Sequence, residues 1–199
     1  MIANLDQPTT GEITIGGALP KNVAAQARIA MAFQDPSLLP WRTVAGNVAL
    51  GAELARKRNP EVDALIKLVG LGGFGQHRPA DLSGGMRQRA AIARALVSEP
   101  DVLLLDEPFG AVDAITRARL GADLPPLWQT RGTTTVLVTH SVEEAVQLSD
   151  RVLVLSPRPA RVVADIDVPA PDTGASRDIK NPIYRRLADR VLDVLGETA

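Results

Sequence analysis

The chain has 199 residues, with 22 Lys and Arg against 23 Asp and Glu, no cysteine, 45% hydrophobic residues and 3% aromatic. That length points to one domain burying roughly 70% of its unfolded surface, and the formal net charge of −1 argues against nucleic-acid binding, which needs a concentrated basic excess. The lack of cysteine excludes disulfide scaffolds, zinc-thiolate sites and cysteine catalysis, while apolar runs such as Val102-Leu103-Leu104-Leu105 fall far below the ~20 residues that span a bilayer.

Residues 1–8, Met-Ile-Ala-Asn-Leu-Asp-Gln-Pro, show no basic segment followed by an apolar one, against the expectation for a signal peptide. They read as the last turn of a helix halted by Pro8. Gly11 to Gly17 alternates polar and β-branched residues between glycines, the pattern of a half-buried strand ended by a turn. A second strand, Ile29 to Phe33, runs into Gln34-Asp35-Pro36, where proline forces the chain into a loop through Pro40.

Thr43 is an N-cap candidate for a helix running to Arg58, broken by Asn59-Pro60. A second helix from about Glu61 to Val69 ends in the glycine cluster 70–75. Beyond Ser83 the pattern alternates: helix 84–98, strand 102–105, helix 113–130, strand 134–138, helix 141–148, strand 151–155. Apolar strands alternating with helices predict a parallel sheet covered on both faces. Residues 161–168 read as a final edge strand, 169–178 as a surface linker, and 182–195 as an amphipathic helix whose apolar face packs on its own domain in preference to offering a partner surface.

Two segments carry chemistry. Val102 to Leu105 ends in Asp106-Glu107, and open α/β sheets hold ligands at the carboxyl ends of their strands. One carboxylate there can hold Mg²⁺ through water while the next orients an attacking water; alone, the run fits a strand with a solvated acidic turn equally well. Leu82-Ser83-Gly84-Gly85-Met86-Arg87-Gln88 opens a helix with a serine cap and two glycines, exposing N–H groups and a positive dipole end to phosphate. Alone, it fits an ordinary N-cap.

Taken together, in this order, the segments resemble the ATP-binding subunits of ABC transporters. Leu82–Gln88 looks like the family signature, Val102–Glu107 like its Walker B strand, and Phe109-Gly110-Ala111-Val112-Asp113 like the D-loop. Val136-Leu137-Val138-Thr139-His140 is similar to the strand ending in the switch histidine, and Phe33-Gln34-Asp35-Pro36 to the Q-loop. The wording of Gln34 to Trp41, Gly84 to Gln88 and Asp106 to Gly110 is similar to importer subunits for nitrate, sulfonate, taurine or related small solutes. Val112 stands where leucine is usual, and Ser141 where aspartate is common.

The resemblance implies a P-loop NTPase-like α/β fold, a parallel-rich sheet flanked by helices with a helical insert. The ATPase domain would cover residues 1–168, with a helical subdomain at about 43–98, followed by a linker and C-terminal helix over 169–199. It implies a head-to-tail dimer sandwiching two ATP molecules, docked on transmembrane permease subunits at the cytoplasmic face of the membrane, with a solute-binding protein as an indirect partner and no nucleic acid. In each site one chain would supply Gln34, Asp106, Glu107 and His140, and the other Ser83, Gly84 and Gly85. Asp106 would coordinate Mg²⁺ through water, with Gln34 as a further metal and nucleotide contact. Glu107 would polarise the attacking water, His140 would contact the γ-phosphate, and Asp113 would sit at the D-loop aspartate.

The family's phosphate loop, G-x-x-x-x-G-K-[ST], wraps the β-phosphate in backbone N–H groups. The four lysines here are Lys21, Lys57, Lys67 and Lys180; none follows glycine and none precedes serine or threonine. The resemblance places that loop and its helix just upstream of Ile2–Pro8. The expectation is therefore a chain starting at the end of the phosphate-loop helix, without the first strands or the aromatic residue that stacks on adenine. ATP and Mg²⁺ binding would be weakened or lost and the isolated chain inactive. Two other classes stay open: a non-catalytic module docking on a permease or an intact partner, and a DNA-repair-type ATPase. The latter is disfavoured by the near-neutral charge and by the mere 48 residues between Gln34 and Ser83, too few for the long coiled coil of those families.

Overall fold

A computed structural model of the chain describes residues 1–58, 60–110, 112–171 and 177–198. Asn59 of the helix-breaking pair, Ala111 of the D-loop segment and residues 172–176 of the surface linker lie outside the described residues. The chain divides into two units, Met1–Val138 and Thr139–Ala199.

The first unit is built on strand β2 (Val102–Asp106), whose first four residues are buried. Strand β1 (Ile29–Ala32) and strand β3 (Thr134–Val138) flank it, giving the order β1-β2-β3 among the described residues, with both pairings parallel. Ile29 pairs with Val102, and Asp106 with Val138. A parallel pair needs a long crossover. Between β1 and β2 it is helical: α1 (Pro20–Ala25) precedes β1, then come α2 (Val44–Leu54), α3 (Val62–Leu68), a 3₁₀ turn at Pro79–Asp81, and α4 (Gly84–Leu96). Helices α5 (Ala114–Asp123) and α6 (Pro125–Thr130) make the return to β3.

Helix α2 starts where the sequence predicts, with the Thr43 hydroxyl accepting the Gly46 N–H at 3.1 Å. It crosses α4 at Gly51, where an added Cβ would lie 2.1 Å from the Arg94 carbonyl oxygen and 2.8 Å from Val97 Cγ1. Only a residue without a side chain allows the two backbones to approach this closely.

Several predicted elements differ. Residues 11–17 form no strand: Gly16 and Gly17 take φ of +56° and +78°, and Ile15 and Ala18 close a single bridge through N–H···O bonds of 2.8 and 3.0 Å. Two consecutive positive φ angles reverse the chain at once, so the pairing ends after one bridge. Residues 1–6 make a turn, with the Asn4 N–H on the Met1 carbonyl at 2.9 Å, rather than a helix. The single helix predicted over 113–130 divides at Leu124, because Pro125 brings no N–H to continue the ladder and starts α6 instead.

The second unit contains α7 (Val142–Leu148), β4 (Arg151–Leu155), β5 (Val162–Asp167) and α8 (Pro182–Thr198). Strand β4 was expected to continue the parallel sheet; it pairs antiparallel with β5 instead. The link over 156–161 is too short for a crossover, which needs about a dozen residues. In β4 Val152 and Val154 are buried while Arg151, Leu153 and Leu155 are exposed, the alternation of a sheet covered on one face. That covered face meets Val146 of α7 and Tyr184, Ala188 and Val191 of α8 in one core, so the C-terminal helix does pack on the elements just before it. It runs to Thr198 rather than Leu195.

Gly51→Ala is expected to destabilise the first unit by about 3 kcal/mol, the upper part of the range for overpacking a tight contact. A urea melt with an unchanged m-value is the check.

Candidate active site

Four apolar residues bury β2, and the charge follows immediately at its carboxyl end. Asp106 is its last residue and half-buried. Glu107 takes φ +44°, uncommon for a residue with a Cβ, and its N–H donates to the Val138 carbonyl at 2.8 Å. The turn thus swings the Glu107 side chain out of the strand's alternation while its backbone stays tied to β3. The Glu107 Oε2 accepts a hydrogen bond from Gln34 Nε2 at 3.3 Å, across 73 positions of sequence.

Gln34 is held in place by α4. The Gln88 side chain, 1% exposed, donates from Nε2 to the Phe33 carbonyl at 2.9 Å, one residue before Gln34. Arg94 donates to the Ser37 and Pro36 carbonyls, both at 2.8 Å. The rest of the loop is tied to α2: Asn47 Oδ1 accepts the Leu39 N–H at 2.7 Å, and its Nδ2 lies 3.0 to 3.2 Å from the Thr43, Leu39 and Arg42 carbonyls. Residues 33–43 are therefore a loop whose backbone is hydrogen-bonded to two helices.

The glycine-opened helix forms as predicted. Ser83 caps α4 by accepting the Met86 N–H at 3.3 Å, with Gly84 and Gly85 as the first helical residues. Arg87 reaches back to the Leu82 carbonyl at 2.7 Å, and Arg89 binds the Val69 and Gly70 carbonyls at 3.0 Å each and the Gly85 carbonyl at 3.3 Å. Burial holds Arg89 below the usual guanidinium range, and Asp113 opposes that effect. Asp113 caps α5, accepting the Thr116 N–H at 3.0 Å. That backbone bond, then the Thr116 hydroxyl, holds the Asp113 carboxyl below the ordinary carboxylate value.

Of the predicted site residues, the structure brings Gln34 and Glu107 into contact and sets Asp106 beside them in sequence at the strand end. Ser83, Gly84 and Gly85 stand together at the start of α4, Asp113 starts α5, and His140 lies exposed in the second unit. Sequence reasoning missed Gln88 as a support of Gln34, although it stands inside the signature. It also missed Arg94 and Asn47. Gln88 and Arg94 bond to carbonyls 55 to 58 positions away, and no local pattern marks such a partner.

The donors at the end of β2 are hard oxygens: two carboxylates and, with Nε2 committed to Glu107, the Oε1 of Gln34. Among the described residues no cluster of three or more His, Cys, Asp or Glu forms a metal cage. The set suits Mg²⁺, which binds through one or two carboxylates together with the oxygens of a phosphate substrate.

The sequence profile of the ABC transporter family matches residues 1–110. The aliphatic sulfonates import ATP-binding protein SsuB 2 of Burkholderia cenocepacia (strain HI2424) is 44% identical over 193 residues, covering 97% of this chain and 70% of that protein. The taurine import ATP-binding protein TauB of Rhizobium johnstonii is 43% identical over 197 residues, covering 94% and 74%. Among solved structures, the dimeric ATP-binding cassette MJ0796, in a post-hydrolysis state bound to ADP and Pi, superposes with a TM-score of 0.73 at 29% identity, over 83% of this chain and 77% of that one.

Two results are expected. Gln88→Ala removes the donor from the part-buried Phe33 carbonyl and lowers stability by about 0.5–1.5 kcal/mol, read by a urea melt. For Asp113 the folded-state value is the depressed one, so the cap is complete above the unfolded carboxylate value and is lost as pH falls through the folded one. The Thr116 amide resonance should titrate below about pH 4 and stay flat in Asp113→Asn.

Proposed function

We propose, on the premise that this chain belongs to the ABC transporter family as an ATP-binding subunit, that it serves an importer of a small solute such as a sulfonate, taurine or nitrate. The observation that carries the reading is the Glu107 carboxylate, turned out of β2 at φ +44° and held by Gln34 at 3.3 Å. A carboxylate fixed at a strand end beside a second one is what water activation at a phosphate requires. The names of the sulfonate and taurine relatives support the solute class. Among the described residues no helix is long and apolar enough to cross a membrane, so transport requires permease subunits, against which the chain would sit peripherally at the cytoplasmic face.

In this reading Glu107 accepts the proton of the attacking water and Asp106 holds Mg²⁺ through a water molecule. Mg²⁺, when bound, neutralises charge on the phosphate oxygens. Gln34 joins the metal and nucleotide to the loop over 33–43, and the backbone bonds of that loop to α2 and α4 relay its position to the helical segment facing the permease. His140 contacts the γ-phosphate. Ser83, Gly84 and Gly85 serve the nucleotide of the opposite subunit, with their N–H groups and the α4 dipole directed at phosphate, and Asp113 serves the same dimer face.

The 199 residues contain no G-x-x-x-x-G-K-[ST]. On their own they lack the phosphate cradle, so two copies would make two sites with acids and signature but no grip on the β-phosphate. Paired with an intact ATP-binding subunit, the chain still offers Ser83–Gly85 to the partner's phosphate loop, and one complete site results.

The purified chain is expected to show no ATP turnover above background. Turnover that Asp106→Asn or Glu107→Gln abolishes would overturn the proposal. In a mixed assembly with an intact subunit, Ser83→Arg in this chain is expected to lower turnover at least about tenfold, as removal of an oriented phosphate donor does.

A further inference from the structure

We propose that the buried Glu144 carboxylate, acting through the Thr139 hydroxyl, is a positioning residue for His140. The turn around His140 is closed by three hydrogen bonds. The Ser141 hydroxyl caps α7 by accepting the Glu144 N–H at 3.3 Å. Thr139 Oγ1 donates to Glu144 Oε2 at 2.8 Å, and the same oxygen accepts the Ser141 N–H at 3.0 Å.

Ser141 and Glu144 have the spacing of a capping box, in which the carboxylate at the third helical position would take the cap residue's N–H directly. Here the Thr139 hydroxyl stands between them and joins the two. A hydroxyl has one proton; giving it to the carboxylate leaves a lone pair for the Ser141 N–H, so the direction of every bond in the ring is fixed. The ring fastens residues 139 and 141, on either side of His140, to the first turn of α7.

Glu144 is 5% exposed. A carboxylate out of water is costly to hold unless it is hydrogen-bonded. An apolar side chain would fill that space without the desolvation cost. What the carboxylate adds is a charged acceptor for Thr139, and a bond to a charged acceptor is about twice as strong as a neutral one. Ser141 completes the device. It stands where the family resemblance leads one to expect aspartate, and it keeps the cap oxygen without adding a further carboxylate to Glu143 and Glu144 in the first turn.

The value of this device for catalysis rests on the reading that His140 meets the γ-phosphate, but its test needs no nucleotide, so it can fail while that reading stands, and the reverse. The chain has two histidines, His77 and His140, so the imidazole NMR signals of the full chain give a reporter and an internal control. In Thr139→Val and Glu144→Ala the His140 imidazole signal is expected to shift and broaden, and in Thr139→Val the Ser141 amide to exchange about fivefold faster, the size expected for loss of one ordinary hydrogen bond. His77 should not move, and Thr139→Ser should restore the wild-type His140 signal. Should Glu144→Ala fail to fold, Thr139→Val, close in volume, decides alone. An unmoved His140 signal with unchanged Ser141 exchange overturns the proposal. So does an equal disturbance of His77 and His140, which would mark general destabilisation, or a Thr139→Ser variant that behaves like Thr139→Val.

Discussion

A strand buried on both faces can carry charge only where it leaves the core, and the first unit depends on this constraint. Val102 to Leu105 are out of water, between β1 and β3, and a carboxylate among them would have to be neutral or paired. The acids therefore come at the carboxyl end, at the one point where the strand's backbone is still fixed by its neighbours while its side chains reach solvent. The register that sets Asp106 beside Val138, with the Glu107 N–H on the Val138 carbonyl, gives both acids a rigid footing. Rigidity is what an acid needs to orient water, because misplacement of a reacting group by about 1 Å costs orders of magnitude in rate.

Helix α4 is the second organising element. Its N-terminus carries Ser83, Gly84 and Gly85. One turn on, Gln88 holds the carbonyl before Gln34, and near its end Arg94 holds two carbonyls after it. Its back lies against Gly51 of α2, and Asn47 on α2 grips the same loop from the other side. Both helices thus bond to the loop that carries Gln34, the residue that touches Glu107.

Much of this was legible in the sequence. The acid pair after an apolar run, the serine and glycines opening a helix, and the proline-ended strand before Gln34 are local signals, and each formed at its predicted place. The elements that went astray failed for local reasons outweighed by context. Gly11 to Gly17 has strand alternation, yet its paired glycines turn the chain before a ladder can grow. Pro125 divides a helix whose periodicity runs on through it. Strand β4 reads as apolar enough for a parallel sheet, but the short link to β5 commits it to a hairpin. Gln88, Arg94 and Asn47 were invisible as supports because their partners are backbone carbonyls, which no residue type announces.

By itself the sequence determined the chemistry on offer: hard-oxygen acids at one strand end, a serine-capped helix opened by two glycines, a histidine after an apolar strand, and no G-x-x-x-x-G-K-[ST] within the 199 residues. These depend on residue identity over short spans, where covalent geometry and the strand and helix periods leave little freedom. Tertiary structure decided which of those groups touch. The bond from Gln34 to Glu107, the grip of α4 and α2 on the intervening loop, and the antiparallel partner of β4 depend on contacts between distant positions, set by whichever packing buries the apolar faces together. Even the ring around His140, though local, needed the burial of Glu144 to become visible, since only a side chain withdrawn from water must bond to what the protein supplies.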